Sequence, residues 1–193
     1  MLNQIMRPLL ELVYPPQCFV CRNRLSPAAD QGHLCPSCLC MITLNRMPFC
    51  TACSRPLHFP VDGSRCVNCR HTNVHFDFAW AATIYQEPLK GLLHLFKYHQ
   101  KTGLRFIFSH LIFTFIEQYR LDIHQFDTLI PIPLFSTRLR ERGYNQSLLL
   151  AQLISQRYGI TLSANNLKRH RPTETQSLLD RKKKLKNAKC LVA

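Results

Sequence analysis

Eight cysteines within the first 70 residues carry the clearest chemistry in this sequence. They form four Cys-x2-Cys pairs, which are Cys18/Cys21, Cys35/Cys38, Cys50/Cys53 and Cys66/Cys69. Two intervening residues let a tight turn direct both sulfur atoms at one metal ion, and two such turns complete a tetrahedral thiolate site. The eight thiols therefore predict two structural Zn²⁺ ions. Such closed sites leave no coordination position for a substrate.

The spacing leaves the pairing of the turns open. Thirteen residues separate the first two pairs and twelve separate the last two, and these near-equal lengths favour sequential pairing over an interleaved, cross-braced module. An iron–sulfur centre or a redox pair is the alternative metal or thiol chemistry, and a disulfide framework is the alternative for a secreted protein. The N-terminal sequence lacks the features of a signal peptide, so we expect zinc and a cytoplasmic location. Cys40 and Cys190 have no partner pair and are interpreted as small apolar residues.

A second group of chemically suggestive residues lies in IPIPLFSTRLRERGYNQ, residues 130–146. The guanidinium groups of Arg138, Arg140 and Arg142 can each hold phosphate oxygens in a bidentate manner. Gly143 permits a sharp turn or a close approach of the backbone to a ligand. We interpret the segment as an anion-binding loop, and the alternative is a solvated, basic first turn of a helix.

The positive charge is unevenly distributed along the chain. Residues 1–80 contain seven arginines and four acidic residues, net +3, whereas residues 81–193 contain eighteen basic and seven acidic residues, net +11. This excess predicts a polyanionic partner, which is nucleic acid, a phosphorylated metabolite or an anionic membrane surface. The run RKKKLK supplies candidate nucleic-acid contacts, unless it is only a solubilising tail. These candidates are Arg181, Lys182, Lys183, Lys184 and Lys186.

Several elements must position these groups. Apolar residues at helical spacing predict an N-terminal amphipathic helix over residues 1–16, docked on the body of the protein. Residues 17–75 are rich in proline and poor in large aliphatic residues, so metal is expected to supply much of their stability. The longest apolar run, residues 106–116, is shorter than the roughly 20 residues that span a bilayer, so no transmembrane segment is predicted.

The amino-acid composition changes between residues 70 and 78, which predicts a domain boundary there. A strand is predicted from the apolar, β-rich run FAWAATIY, residues 78–85. A helix is predicted to begin at Pro88, and a buried helix is predicted over residues 106–116. A buried strand over residues 127–133 and a helix with Asn145 as its N-cap follow. This order predicts an α/β domain with a parallel sheet, and it places the arginines beyond the carboxyl end of a strand, where ligands of such sheets bind.

The quoted motifs together resemble a known family. Four Cys-x2-Cys pairs, LLHLFKYH, LIPIPLFSTRLRERGYNQSLLLAQLI and LKRHRPTETQSLLDRKKKLKNAK are similar in order and spacing to the ComF/GntX family of bacterial competence-related proteins. The resemblance implies an α/β protein with an N-terminal double zinc ribbon, residues 17–75, followed by a type I phosphoribosyltransferase-like parallel-sheet domain, residues 76–193. It also implies a link to the uptake or handling of DNA.

The resemblance assigns ligand-binding residues and exposes one departure. The implied phosphate- or ligand-binding residues are Lys97, Arg138, Arg140, Arg142, Gly143, Asn145 and Gln146, with Pro131, Pro133, Thr175, Gln176 and Asn187 as further matches to the family motifs. Type I phosphoribosyltransferases also share two acidic residues followed by a Thr-Thr-Gly-x-Thr turn, and neither Asp-Asp nor Thr-Thr-Gly occurs in residues 1–193. We therefore expect an incomplete domain, through natural truncation or because the chain is a fragment.

Three hypotheses for function follow. The first is a zinc-binding ComF-like protein of DNA uptake in competence that binds nucleic acid, with single-stranded DNA as the expected form, and works with a competence-machinery protein. The second is phosphoribosyl transfer from phosphoribosyl pyrophosphate with Mg²⁺ bound to the pyrophosphate, which requires a complete C-terminal part. From residues 1–193 alone we expect no turnover, and no catalytic residue is assigned. The third is a structural zinc adaptor for a protein partner.

Overall fold

The chain divides into two compact units. A computed structural model describes residues 15–25, 33–57, 65–71 and 76–170. The first unit contains the described residues up to Leu93 together with His110–Arg120, and the second contains His94–Ser109 together with the described residues from Leu121 onwards. Most of the predicted N-terminal helix, the RKKKLK run and the matches at Thr175, Gln176 and Asn187 lie outside the described residues.

Helices dominate the described residues. Helix α1, Pro36–Cys40, and helix α2, Val67–His71, are short. Helix α3, Leu89–Tyr98, and helix α4, Leu104–Gln118, are longer. They precede strand β1, Thr128–Leu129, helix α5, Ser136–Arg142, helix α6, Gln146–Tyr158, and strand β2, Thr161–Leu162. None of the helices in the described ranges combines the length and apolar character that a membrane crossing requires.

The apolar spacing of the sequence explains the two longer helices. Helix α3 begins directly after Pro88 and buries Leu89, Leu92 and Phe96, one turn apart, at 4%, 1% and 1% exposure. Helix α4 buries residues three and four positions apart along its length, and these are Leu104, Ile107, Phe108, Leu111 and Phe115. The predictions of a helix after Pro88 and of a buried helix through residues 106–116 are confirmed.

A parallel pair of short strands lies in the second unit. Thr128 pairs with Thr161 and Leu129 with Leu162, and α5 and α6 form the connection between the two strands. The prediction of parallel strands with a helical connection is confirmed for this one pair of strands. The phosphoribosyltransferase-like fold and the predicted boundaries at residues 17–75 and 76–193 stay predictions.

The predicted strand over residues 78–85 is wrong. This segment forms only an isolated antiparallel bridge, Leu44 with Thr83, supported by hydrogen bonds from the Asn45 N–H to the Ala82 carbonyl (2.9 Å) and from the Ile84 N–H to the Thr43 carbonyl (3.0 Å). A strand needs a partner backbone along several residues, and residues 43–45 pair with this segment at a single bridge. The stretch therefore belongs to the first unit and does not open a new sheet.

The arginines of the predicted anion-binding loop lie on helix α5, so the structure favours the helical alternative for this segment, and anion binding by it stays a prediction. Arginine, leucine and glutamate favour a helix, and the helix begins three residues after Pro133. It ends at Gly143, which has a left-handed φ of 78° and donates its N–H to the Leu139 carbonyl at 2.8 Å. Gly143 thus provides the sharp turn that the sequence predicted.

Candidate functional site

The eight paired cysteines form two separate tetrads. Cys18, Cys21, Cys35 and Cys38 make the first tetrad, and Cys50, Cys53, Cys66 and Cys69 make the second. Within each tetrad all sulfur atoms lie within 4.8 Å of one another. The pairing is therefore sequential along the chain, as the near-equal spacings favoured.

The two tetrads are built by the same local structure. In the first, the Arg22 N–H donates to the Cys18 carbonyl at 2.9 Å; in the second, the Ser54 N–H donates to the Cys50 carbonyl at 2.8 Å. Arg22 and Ser54 both have positive φ values, 65° and 54°, which close each turn tightly. Helices α1 and α2 then begin directly after the third cysteine of each tetrad. The near-equal spacing of the cysteine pairs is the signal of this repeat in the sequence.

The sulfur geometry fits a zinc ion in each tetrad. The Cys21 and Cys35 sulfur atoms lie 3.8 Å apart, and those of Cys53 and Cys66 lie 3.7 Å apart. A tetrahedral site with Zn–S bonds of about 2.3 Å implies S–S separations of about 3.8 Å. A disulfide would bring the sulfur atoms to about 2.05 Å, so the observed separations match a metal site.

Backbone donors favour thiolates in both tetrads. The Cys35 N–H lies 3.5 Å from the Cys18 sulfur, and the Cys66 N–H lies 3.3 Å from the Cys50 sulfur. Burial alone would raise the pKa of Cys18, but the backbone N–H groups around it outweigh burial and lower that pKa to about 6. Burial and the neighbouring thiols raise the pKa of Cys38 to about 12. The remaining protons must leave when a metal binds, so zinc affinity falls as pH falls.

The second tetrad is more enclosed than the first. Cys21 is exposed in the first tetrad, whereas Cys50, Cys66 and Cys69 are all buried in the second. Phe49, beside Cys50, packs on helix α4, with its ring centroid 5.9 Å from that of Phe115 and edge-on to Tyr119. Phe49 therefore anchors the second tetrad to helix α4, and beside the first tetrad Phe19 stacks on His33 with ring centroids 5.1 Å apart.

We expect zinc to leave the first tetrad before the second. A chelator in limiting amount should release zinc in two phases, because exposed Cys21 admits solvent and chelator to its ion. Alkylation of the freed thiols followed by mass spectrometry should find Cys21 and Cys35 modified in the fast phase and Cys53 and Cys66 in the slow phase. Simultaneous modification of both tetrads would contradict this order.

In the second unit, helix geometry separates the three arginines of α5. Arg138 and Arg142 are four residues apart and share one face of the helix, whereas Arg140 is two residues from each and points away from that face. Arg140 is exposed, and Arg138 and Arg142 are partly buried. The assignment of Arg140 as a phosphate ligand stays a prediction, and the structure does not bring it onto the face of the other two.

Arg142 lies where α3 meets the connection between α5 and α6. The Gln146 side chain accepts a hydrogen bond from Arg142 at 3.3 Å, and its Nε2 lies 3.5 Å from the Lys97 carbonyl. The Tyr144 hydroxyl donates to the Phe96 carbonyl. Lys97, Arg142 and Gln146, which the sequence analysis assigned to one site, are therefore neighbours at this junction.

Asn145 fixes the start of α6. Its side-chain oxygen accepts from the Ser147 N–H at 3.0 Å, which confirms the predicted N-cap, and its Nδ2 donates to the Ile132 carbonyl at 3.0 Å. Asn145 thus ties the proline-containing segment after β1 to the first turn of α6. Its role as a ligand-binding residue stays a prediction.

A third arginine joins the first two from beyond β2. Burial lowers the pKa of Arg169, and the positive charges of Arg138 and Arg142 lower that pKa further. Arg169 is therefore within electrostatic range of both Arg138 and Arg142. We call Arg138, Arg142 and Arg169 the arginine cluster. Arg169 was not assigned from the sequence because it lies 27 residues after Arg142.

The contacts of Arg138 and Arg142 differ in charge. Arg138 forms an ion pair with Glu141 at 3.2 Å. Within the described residues, Arg142 contacts neutral groups, which are Gln146 and the ring of Tyr98, whose centroid lies 5.0 Å from the guanidinium carbon. The cluster can therefore attract an anion.

Comparison with known proteins identifies the family. A family model for the double zinc ribbon domain matches residues 9–70. Competence protein F of Haemophilus influenzae is 31% identical over 178 residues, which cover 89% of this chain and 75% of that protein. The chain belongs to the ComF family.

Other members of the ComF family are similarly related. The DNA utilization protein YhgH of Salmonella typhimurium is 28% identical over 182 residues, covering 92% of this chain and 78% of that protein. YhgH of Escherichia coli strain K12 is 28% identical over 185 residues, with the same coverage. No solved structure matches the chain. The match to a double zinc ribbon covers both tetrads of this ComF family protein, and together they support zinc binding.

Proposed function

We propose that this ComF family protein binds the phosphates of DNA through its arginine cluster, in a competence or DNA-utilization role, and that two zinc ions stabilise its cysteine tetrads. The names of its relatives, competence protein F and DNA utilization protein, support the DNA-linked role. The match to the double zinc ribbon and the sulfur separations support the zinc ions.

The convergence of three arginines carries the proposal for DNA. Arg169 lies near enough to Arg138 and Arg142 for their positive charges to lower its pKa, so an anion bound among them would be attracted by all three guanidinium groups. A nucleic-acid backbone supplies phosphates to successive guanidinium groups, and each contact releases counterions to solvent. The net charge of +11 over residues 81–193 would add a longer-range attraction for the same polyanion.

We expect Arg142→Gln to weaken DNA binding about eightfold at 0.1 M salt, which is the counterion-release contribution of one phosphate contact. The slope of log affinity against log salt should become shallower by about 0.7–0.9. Fluorescence anisotropy with a labelled oligonucleotide, repeated over a salt series, measures both quantities.

Arg140→Gln is the matched control, because it removes the same charge from the opposite side of α5. It should change the affinity and the slope less than Arg142→Gln. Equal effects of the two substitutions would show that binding senses net charge and not the arginine cluster. Absence of salt-dependent DNA binding by the unaltered protein would reject the proposed function.

A second candidate ligand is phosphoribosyl pyrophosphate with Mg²⁺. The observation that favours it is the position of the cluster, because β1 leads directly towards α5 in a parallel pair, and ligands of such sheets bind beyond the carboxyl ends of strands. In the same assay, phosphoribosyl pyrophosphate with Mg²⁺ would displace DNA if both bind the cluster. Binding of neither ligand would favour a zinc adaptor for a protein partner.

A further inference from the structure

An exposed group of rings lies at the C-terminal end of α3. The ring centroids of His94 and Tyr98 are 4.8 Å apart, and those of His94 and His99 are 5.4 Å apart. All three side chains are exposed, and Tyr98 is 46% exposed. Phe96 on the same helix is 1% exposed, so this helix buries one aromatic ring and leaves the others at the surface. We call His94, Tyr98 and His99 the ring group.

The ring group adjoins the arginine cluster. The guanidinium carbon of Arg142 lies 5.0 Å from the centre of the Tyr98 ring. The backbone of Lys97, the residue before Tyr98, is in contact with Gln146, which also binds Arg142. Aromatic rings and a cation without a carboxylate partner among the described residues therefore occupy one surface of the second unit.

We propose that the ring group, centred on Tyr98, stacks against an unpaired base of a strand whose phosphates bind the arginine cluster. This inference rests on the proposed function and names the form of the DNA. Exposed aromatic rings beside basic side chains are the usual means of binding single-stranded nucleic acid, because every base has a face that can stack. In a duplex these faces are covered by neighbouring bases, so the rings can favour only the single strand.

An alternative is that Tyr98 only positions Arg142. The two roles predict different outcomes, because Arg142 would contact the phosphates of single strands and duplexes alike. If Tyr98 positions Arg142, its loss weakens both forms equally. If Tyr98 stacks on a base, its loss weakens the single strand alone.

Tyr98→Leu should therefore lower the affinity for a labelled oligothymidylate by roughly 5- to 150-fold, the range for one stacked base, and leave the affinity for a duplex of the same length unchanged. Tyr98→Phe retains the ring and should bind the single strand within about twofold of the unaltered protein. Tyr85→Leu is the matched control, since Tyr85 is a tyrosine of the first unit that is 67% exposed. It should leave both affinities unchanged.

Tyr98→Trp gives a second readout on the full-length protein. Its indole fluorescence should be quenched when oligothymidylate binds, above the response of the single native tryptophan, Trp80. Equal loss of single-strand and duplex affinity in Tyr98→Leu, or unchanged single-strand affinity, would overturn the stacking site. Arg142→Gln separates the two proposals, because it should still weaken both forms if only the stacking inference fails.

Discussion

Cys50→Ser should reduce the zinc content of the purified protein from two equivalents to about one and unfold the second cysteine tetrad. Cys50 is fully buried, and its sulfur accepts the N–H of Cys66 at 3.3 Å. A serine hydroxyl is a poor replacement for a thiolate ligand, and the binding free energy of a structural zinc, roughly 10–16 kcal/mol, is also folding free energy. Because Phe49 packs on Phe115, the substitution should also loosen the C-terminal half of α4.

Metal analysis of protein expressed without added metal, together with hydrogen exchange over residues 49–57 and 110–118, measures these effects. Cys40→Ser is the matched control, since Cys40 is an exposed cysteine outside both tetrads. It should retain both zinc ions and native exchange rates. Two equivalents of zinc in Cys50→Ser would refute the assignment of Cys50 as a zinc ligand. Stoichiometric iron in the unaltered protein would show that the tetrads hold iron and not zinc.

Phe96→Ala should lower the free energy of unfolding by about 3–5 kcal/mol, the usual range for deleting a buried aromatic ring. Phe96 is 1% exposed, and its ring centroid lies 5.2 Å from that of Phe108 and 5.7 Å from that of Tyr144. The ring therefore holds α3, α4 and the connection before α6 together within the second unit. Its loss should also weaken DNA binding, because Arg142 and Tyr98 depend on that junction.

Urea unfolding of zinc-loaded protein, followed by circular dichroism, measures this loss. Phe106→Ala deletes the same side chain at a position that is 46% exposed. It should cost less than about 1 kcal/mol, including the contact of its ring with Arg105. A loss in Phe96→Ala as small as that in Phe106→Ala would mean that the ring does not support the core of the second unit.

Predictions from the sequence succeeded where the determining interactions are local. The two-residue spacing within each cysteine pair specifies a turn that directs two sulfur atoms at one point, and the structure shows such turns. Apolar residues three and four apart predicted α3 and α4, and Asn145 was identified as an N-cap that the structure confirms. Each of these features depends on residues within one or two turns of chain.

Predictions failed where the outcome depends on a distant partner or on competition between local forms. The run 78–85 has strand-like composition, but a strand forms only where another backbone is available, and here residues 43–45 offer a single bridge. The arginine segment was predicted to be a loop because it follows a predicted strand that ends at two prolines and precedes a predicted helix. Its residues are good helix formers that Gly143 terminates, and that helix turns Arg140 away from Arg138 and Arg142.

Residue identity and short spacing were enough to predict the types of metal ligand, the number of cysteine pairs, the main helices and the family. Only the folded structure shows which cysteine pairs share a tetrad, that Arg169 lies near Arg138 and Arg142, and that Tyr98 lies beside Arg142. Tyr98 and Arg142 are 44 residues apart in the chain. Their proximity depends on how Phe96 and Tyr144 pack, and such long-range contacts follow from burial of the whole core and not from any local pattern.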